Sequence, residues 1–513
     1  MLGASIGPRL LSDKFHWLGG DQVVEGAAFG AVPNGGTVDG QLAEAVASAA
    51  ARMVPLRLQA GTYSLTREVD LSGVPQIILD GAVVFDFSSA VSLSGFVQGA
   101  FLFIGGGRLT PLPALATDVM EGGRTLTFVS PPQLSANEWI NIYNPTDGSY
   151  HASRPVYRSG EWAKIDGVSG REVTLHWPSD ASYRAADVDL YRHPMKGIEI
   201  RGGPFTVVES AHPELKDLVG IKLKLLHGTN VSPLRTAGKS GHAEIMVTMC
   251  VDCHGRGMEA KQQRETGGGT NYGLSVANCD SCTFQGVFHG RRHGATTSGT
   301  NDIGAVPSRR LLLEGTFSRP MNGNGSIGAF ACHGNVEKSE VRGTFIGGAI
   351  VAGGNRMIYR GEVVTPAIGI YGGELSGLDH DFSGMHIRSL GDPALVSRGV
   401  VDFGGNGGAI DSRTSRGGTI NLSEVELDAP LARSIIRIRN RGYVGDDPII
   451  LDIRGMKVTR SAASSFDVRA VSGDEIAVLL TDGASREGWR VNGATEVRGR
   501  LVVEASVSLV SGA

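Results

Sequence analysis

The chain has 513 residues, 74 of them glycine, and a formal net charge of −4 at pH 7. This charge argues against nucleic acid as the main partner, because the general basic surface that nucleic acid requires is absent. No stretch has the apolar length of a membrane span, and Met1 to Pro8 lacks the basic and apolar regions of a secretory signal. We therefore expect no membrane insertion and synthesis in a cytoplasm.

The amino-terminal part contains a short leader and then a helix. Residues 1–24, interrupted by Pro8, Gly19 and Gly20, are interpreted as an attachment segment or a packing arm. The alanine-rich residues 39–52 favour a helix with apolar residues at helical spacing. A helix over the end of a repeating fold would cap its first unit, which otherwise exposes its core and strand edges.

The next segments are predicted to be strands. Residues 66–106 are predicted to form the first coils of the repeating fold. Residues from about 110 to 194 are predicted to form a β insertion in which aromatic side chains concentrate. These aromatic residues are Trp139, Trp162 and Trp177 together with Tyr143, Tyr150, Tyr157, Tyr183 and Tyr191. They are expected to form the core of the insertion, or to stack on sugar rings.

A repeat dominates the following region. Gly257, Gly286, Gly315 and Gly343 each follow a strand-like run, at spacings of 29, 29 and 28 residues. Such a period indicates a solenoid, and its strand-like units predict an all-β parallel β-helix over residues 25–445. Residues 446–513 have a different rhythm and are predicted to be a separate β segment, suited to oligomerisation.

Four of the five cysteines form two pairs, Cys250 with Cys253 and Cys279 with Cys282. This spacing occurs in zinc sites. However, the pairs are 29 residues apart, which is the period of the repeat, so each pair occupies the same position in adjacent coils. We therefore expect buried, reduced thiols, no metal and no cofactor.

Counting from each repeat glycine predicts one basic flank in the loops beyond the strands. Lys261 and Arg319 lie four residues beyond a glycine, and Arg264 and His293 lie seven beyond one. The flank is completed by Arg291 and Arg292, and bordered by His289 and His333. Loops on a rigid scaffold are where functional residues concentrate, although Glu259, Glu265 and Asp302 could simply pair with these cations.

Several tracts resemble the pectate-lyase-like parallel β-helix proteins, especially bacteriophage tailspikes and tail-associated depolymerases. The tracts are Phe29-Gly-Ala-Val-Pro-Asn-Gly35, Leu58-Gln-Ala-Gly-Thr-Tyr63, Tyr157-Arg-Ser-Gly-Glu161, Val168-Ser-Gly170, Gly290-Arg-Arg-His-Gly294 and His333-Gly-Asn335. The resemblance implies a right-handed, single-stranded β-helix and a homotrimer in the virion, made in the bacterial host cytoplasm. It also implies a bacterial surface polysaccharide as ligand and, through the leader, another virion tail or baseplate protein as partner.

Within this resemblance, the basic flank favours a polysaccharide lyase acting on an acidic glycan. Such a lyase must neutralise a carboxylate, remove the neighbouring proton and protonate the leaving oxygen. His293, Arg292, Lys261 and Arg264 are the predicted catalytic residues, with His293 the strongest. His333 ranks lower, because Ala331 stands where the family often has Asp. The predicted substrate-binding residues are Arg291, Arg319, His289, His333, Glu259 and Asp302.

Two other functions remain open from the sequence. A glycoside hydrolase needs two carboxylates roughly 5 to 10 Å apart. The candidates are Glu259 with Asp302, or Glu374, Asp379 and Asp381 in one acidic turn. A non-catalytic structural or adhesin subunit of a phage tail is the third possibility.

Overall fold

A computed structural model describes residues 22–146, 156–231, 233–238, 241–262, 271–321, 328–375, 379–390, 400–403 and 418–428. It also describes 436–438, 449–453, 455–460, 466–470, 476–477, 489–491, 501–504 and 507–511. Most of the predicted leader, residues 1–21, lies outside this range. Its end does not: the first strand, Val24–Glu25, pairs in parallel with residues 56 and 57.

The α-helix Asp39–Arg52 covers the first coils. It buries Leu42, Ala45, Val46 and Ala49 and contacts the first strands of the solenoid. The Asp39 carboxylate accepts hydrogen bonds from the backbone N–H and hydroxyl of Thr66, at 2.9 and 2.5 Å, and so fixes the helix to the chain beyond the first turn. Three short 3-10 helices complete the helical content of the described residues: Gly26–Phe29, Ala185–Asp187 and Pro213–Leu215. No helix in that part of the chain is long and apolar enough to cross a membrane.

Most described strands belong to two long, parallel sheets, as expected for a parallel β-helix. The first, called the long sheet, consists of Val24–Glu25, Leu56–Leu58, Gly61–Ser64, Gln76–Leu79, Val83–Asp86, Glu199–Gly202, Phe205–Val208, Asn230–Val231, Leu234–Gly238, His254–Gln262, Thr283–His289, Leu312–Ser318, Glu340–Ile346, Met357–Thr365, His380–Asp381, His386–Ser389, Gly418–Asn421, Glu426–Asp428, Ile449–Asp452, Met456–Arg460, Ile476–Ala477, Leu501–Glu504 and Val507–Ser511. Each strand pairs with the equivalent strand one coil away, which confirms the predicted fold class.

The second sheet runs alongside it. Its strands are Val69–Asp70, Ala100–Gly105, Val219–Lys224, Ala243–Thr248, Tyr272–Ala277, His293–Ser298, Gly328–Cys332, Ala349–Gly354, Ile370–Leu375, Val401–Phe403, Ile436–Ile438, Phe466–Ala470 and Trp489–Val491. Two further short strands, Ser308–Arg309 and Val336–Glu337, pair with each other in parallel. Each of them follows a strand of the second sheet and precedes a strand of the long sheet in the chain. Apolar side chains fill the lumen. One example is the stack of Phe288, Phe317 and Phe345, whose ring centroids are 5.8 and 5.2 Å apart.

The insertion is a six-stranded antiparallel sheet. Its strands, in spatial order, are Thr110–Pro111, Asp189–Arg192, Trp139–Tyr143, Gly160–Ser169, Glu172–Leu175 and Thr125–Thr127. Most of its aromatic residues are buried, Trp139 and Trp162 almost completely. Packing therefore accounts for these two indoles.

The carboxyl-terminal strands differ from the expectation of a separate segment. Residues 449–452 pair with 418–421, and 457–459 pair with 426–428, both in parallel. Strands 466–470 and 489–491 extend the second sheet. The described residues beyond 446 thus continue the solenoid, and the altered rhythm reflects a change in coil length.

The glycine repeat marks a column in which backbone approaches backbone. Gly286, Gly315, Gly343 and Gly361 are successive register partners. A Cβ atom at Gly315 would lie inside van der Waals contact with the carbonyl oxygen of Gly286, and Gly315 has φ +139°. The column therefore requires glycine for both space and backbone conformation.

The repeat also contains an irregularity. A bulge between Gly255 and Met258 pairs Met258, and not Gly257, with Gly286. Positions counted from Gly257 are therefore displaced by one residue relative to the later coils. The neighbouring column is as predicted, because Gly255, Phe284, Leu313 and Val341 are register partners.

The insertion is held on the solenoid by a buried ionic network around Arg309, whose side chain is 2% exposed. Its guanidinium lies 3.2 Å from Asp180 of the insertion and 3.0 Å from Glu337 of the next coil, and it donates to the carbonyl of Gly160 at 2.9 Å. Burial alone would raise the pKa of Asp180, but Arg309, with Lys338 and Arg310, holds it below its usual value. Arg309 thus neutralises carboxylates from both parts of the chain.

We predict that Gly315→Ala lowers the free energy of unfolding by about 2 to 6 kcal/mol, because the methyl group meets backbone and the φ angle is unfavourable. Chemical denaturation measures the effect. Gly36→Ala is the control, since a Cβ atom there has no neighbour within 4 Å. Equal stability of the two variants would contradict the steric role of the column.

We predict that Arg309→Met destabilises the protein by about 3 to 5 kcal/mol, because buried carboxylates lose their countercharge. Arg342→Met removes an arginine from an exposed pair with Glu314 and is expected to change stability by less than about 1 kcal/mol. Denaturant unfolding compares them, and limited proteolysis reports whether the insertion is released. A mild effect of Arg309→Met would show that the network does not hold the insertion.

Candidate functional site

The tract from His289 to His293 is the turn that connects the long sheet to the second sheet. One strand ends at His289 and the next begins at His293. The N–H of Gly290 donates to the carbonyl of Ser318 at 3.0 Å, and the N–H of Arg292 donates to that of Asn271 at 3.2 Å. A Cβ atom at Gly290 would meet only backbone, which explains the glycine in this tract.

His293 was expected to lie in a loop. It is instead the first residue of a strand, and it is 3% exposed. Its Nδ1 lies 2.8 Å from the carbonyl oxygen of Gly328. Since a carbonyl only accepts, Nδ1 carries the proton, and the lone pair of the neutral ring is on Nε2. The ring therefore has the tautomer that a base acting through Nε2 requires.

Two further rings contact His293, and together we call Tyr272, His293 and His333 the histidine cluster. The Tyr272 ring is stacked on His293 at 5.3 Å between centroids, and the His333 ring lies 5.6 Å from His293. Tyr272 Oη is 3.5 Å from His333 Nε2. All three residues are buried.

Tyr272 is the residue that sequence reasoning missed. It is the register partner of His293 in the preceding coil. The two residues are 21 positions apart in the chain and not 29. Their register depends on where each strand of the second sheet begins, which counting from the repeat glycines does not report. The available indication was that Tyr272 and His293 are both ring-bearing residues followed by glycine.

The electrostatic surroundings keep His293 neutral. Burial lowers the pKa of His293 well below 6.5, and His333, Arg292 and Arg319 lower it further against the opposing hydrogen bond to Gly328. Both arginines therefore act on the ring through space. The structure thus brings Arg292, Arg319 and His333 close to His293, as the sequence suggested.

The other predicted residues of this flank differ in exposure. Arg319 is buried, with Nη1 donating to the carbonyl of Gly347 at 3.2 Å. Arg291 is half-buried, and its buried Nη1 has no hydrogen-bond partner in the described part of the chain. Arg292 is exposed. His289 Nδ1 lies 3.0 Å from the hydroxyl of Ser318, and burial lowers the pKa of His289.

Lys261 lies at a different position from the one predicted. The bulge at Gly255 places it beside His289 and not beside Gly290. Its exposed ammonium pairs with Glu259, which also lies 3.5 Å from Arg235. Arg264 falls outside the described residues.

The candidate hydrolase carboxylates belong to several elements of the fold, and those described face cations. Glu259 is on the long sheet, whereas Asp302 pairs with Lys224 of the second sheet at 3.0 Å. Asp379 lies 3.8 Å from Arg356, and Asp381 lies 2.5 Å from Arg360. The side chain of Glu374 is outside the described residues.

The four stacked cysteines are buried free thiols. Their Sγ atoms lie within hydrogen-bonding distance of backbone carbonyls, for example Cys279 Sγ at 3.2 Å from the oxygen of Ala277. Within the described ranges, no three His, Cys, Asp or Glu side chains are grouped to hold a metal ion. The contacts are those of thiols packed in an apolar column.

Two family models match the chain. Residues 104–193 match the Ig-like domain of tailspike-like proteins, and residues 238–403 match the Gp49 pectin lyase-like domain. The first covers the insertion and the second covers the coils that carry the histidine cluster. The chain has the architecture of the phage tailspikes. No curated protein sequence matches it significantly.

Solved structures of tailspikes share the fold. Tailspike gp49 of Pseudomonas phage LKA1 is 21% identical, with a TM-score of 0.74 over 89% of this chain and 80% of that one. Tailspike gp61 of Pseudomonas phage phi297 is 19% identical, with a TM-score of 0.71 over 88% and 78%. The gp54 tailspike of Acinetobacter baumannii phage AP22, solved with an A. baumannii capsular saccharide, is 16% identical, with a TM-score of 0.66 over 93% and 76%.

We predict that His293 makes the protein less stable in acid. The unfolded chain takes up a proton on His293 as pH falls through about 6.5, whereas the folded chain does so only well below that pH. The free energy of unfolding therefore falls below pH 6.5, by up to about 1.4 kcal/mol per pH unit for this group. His293→Asn, which keeps an N–H donor for Gly328, is expected to show a shallower slope.

Denaturant titrations at a series of pH values below 6.5 measure this slope. His386→Asn, at a half-exposed histidine of the long sheet, is the control and is expected to retain the slope of the parent. Identical slopes for the parent and His293→Asn would show that His293 is not held neutral.

Proposed function

We propose that this chain is a virion tailspike that binds a bacterial surface polysaccharide and cleaves it as a lyase acting on an acidic glycan. The observation that carries the proposal is the histidine cluster, in which a neutral imidazole contacts a phenol and a second imidazole beside Arg292 and Arg319. The capsular saccharide in the similar AP22 tailspike supports the substrate class.

In the proposed reaction, a β-elimination, Arg292 and Arg291 bind the uronate carboxylate, which makes the neighbouring C–H more acidic. His293 Nε2 removes this proton, and the C–H electron pair forms a carbon–carbon double bond as the glycosidic C–O bond breaks. The Tyr272 hydroxyl gives its proton to the leaving oxygen. Tyr272 and Nε2 are later returned to their starting states by proton exchange with water.

Lys261, His289, Arg319 and His333 have supporting roles in this proposal. Lys261 and His289 are neighbours near the carboxyl ends of two adjacent strands of the long sheet, where they would bind the polymer next to the cleavage point. Arg319 and His333 act on His293 through its pKa and its ring contacts. Arg264 and Glu259 remain candidates for contacts with the same polymer.

A hydrolase is less well supported, because its general acid must hold a proton near neutral pH. Burial alone would raise the pKa of Asp381, but hydrogen bonds from Arg360 and Ser383 hold it below its usual value. Asp302 and Asp379 also face cations. A carboxyl group whose pKa is held down, as that of Asp381 is, does not act as a general acid.

We predict that purified tailspike generates the ultraviolet absorbance of an unsaturated uronate when incubated with a uronate-containing capsule or O-antigen of its host. Product absorbance and reducing ends are measured together. Reducing ends without absorbance would indicate a hydrolase and would overturn the lyase assignment. Binding without either product would indicate an adhesin.

We predict that His293→Asn and Tyr272→Phe each lower kcat by about 100- to 10,000-fold, the usual contribution of a general base or acid. His386→Asn is the matched control and is expected to leave the rate unchanged. Circular dichroism and oligomeric state confirm that the variants are folded. A folded His293→Asn variant with parental activity would remove His293 from the reaction.

A further inference from the structure

A cleft lies between the insertion and the second sheet, on a part of the surface that the proposed reaction does not use. Its volume is about 910 Å³, at the upper end of the range for small-molecule sites. One wall is formed by residues 105–109, where the chain leaves the solenoid for the insertion, and another by residues 301–303. A space of this size is large enough for a short oligosaccharide.

The cleft is positively charged. Arg108 and Lys196 are exposed at its edge, and neither forms an ion pair with any part of the chain that the structure describes. Lys224 also lines the cleft and is neutralised by Asp302 at 3.0 Å. The cleft therefore presents two uncompensated cations in a chain whose net charge is −4.

The remaining lining is apolar, aromatic or amide. Leu225 and Met249 are buried in its floor, and Tyr191 contributes a half-exposed ring. Ile303 at the rim is 65% exposed. Asn301 adds an exposed amide. This combination suits a sugar, whose C–H faces pack on apolar and aromatic groups while its hydroxyls form hydrogen bonds.

We propose that this cleft is a second, non-catalytic binding site for a carboxylated oligosaccharide. Arg108 and Lys196 bind the carboxylates, Tyr191 and Ile303 pack against the ring faces, and Asn301 contacts hydroxyl groups. The identity of the ligand rests on the proposed function, because the site would hold another segment of the same acidic polymer. A second attachment point on the same chain raises the effective concentration of polymer at the histidine cluster.

The test uses the full-length protein with short uronate oligosaccharides as probes: oligogalacturonate, oligomannuronate and oligoguluronate. Maltohexaose, which is neutral, is the ligand control. Titration calorimetry is performed on His293→Asn, so that cleavage does not interfere. At least one uronate probe is expected to bind more tightly than maltohexaose, and adding Arg108→Ala and Lys196→Ala is expected to weaken it about 10-fold or more. Failure of every uronate probe to bind more tightly than maltohexaose would overturn the proposal.

The matched control is Arg171→Ala with Lys216→Ala, which removes two exposed cations that do not line the cleft. It is expected to leave the affinity unchanged. Equal weakening by both double variants would indicate a general charge effect and would overturn the site. Unchanged affinity in the cleft variant would do the same. Because binding is measured without turnover, the result is independent of whether the histidine cluster is catalytic.

Discussion

The pairing of each coil's backbone with the next is the constraint on which the solenoid and its candidate site depend. Along the glycine column, Gly286, Gly315 and Gly343 have a neighbouring carbonyl where a side chain would otherwise stand. The coils therefore stack at the spacing of adjacent strands, about 4.8 Å. This spacing puts Tyr272 against His293 and lines up the phenylalanines of the lumen. Contacts between side chains follow from the backbone register and do not create it.

The fold was accessible from the sequence because its determinants are local and repeated. The glycine period, the apolar columns and the alanine-rich helix each reflect contacts between neighbouring coils. Counting residues from the repeat glycines failed at the bulge after Gly255. One extra residue there shifts Lys261 relative to His289 without any change in composition. The carboxyl-terminal strands were misinterpreted for a related reason, since the sheets continue while the coil length changes.

The candidate site was accessible only in part. Its basic residues are contiguous in the chain, so the sequence showed Arg291, Arg292 and His293. Burial of His293 and its contact with Tyr272 depend on where the second sheet begins, which the glycine count does not report. The network around Arg309 joins an insertion strand, a loop and two coils. These residues are far apart in the chain, so no short-range sequence pattern predicts their contacts, which form only in the assembled fold.

The spacing of the glycine column has a consequence for how such a protein changes over evolutionary time. Successive column positions are separated by 29 residues between Gly286 and Gly315, but by 18 between Gly343 and Gly361, while the strand pairing is preserved. The geometry of the paired strands is thus maintained, whereas the length of the turns between them varies. Segments between paired strands can therefore be lengthened or shortened without disturbing the lumen, so the surface that the turns form can change while the scaffold is retained.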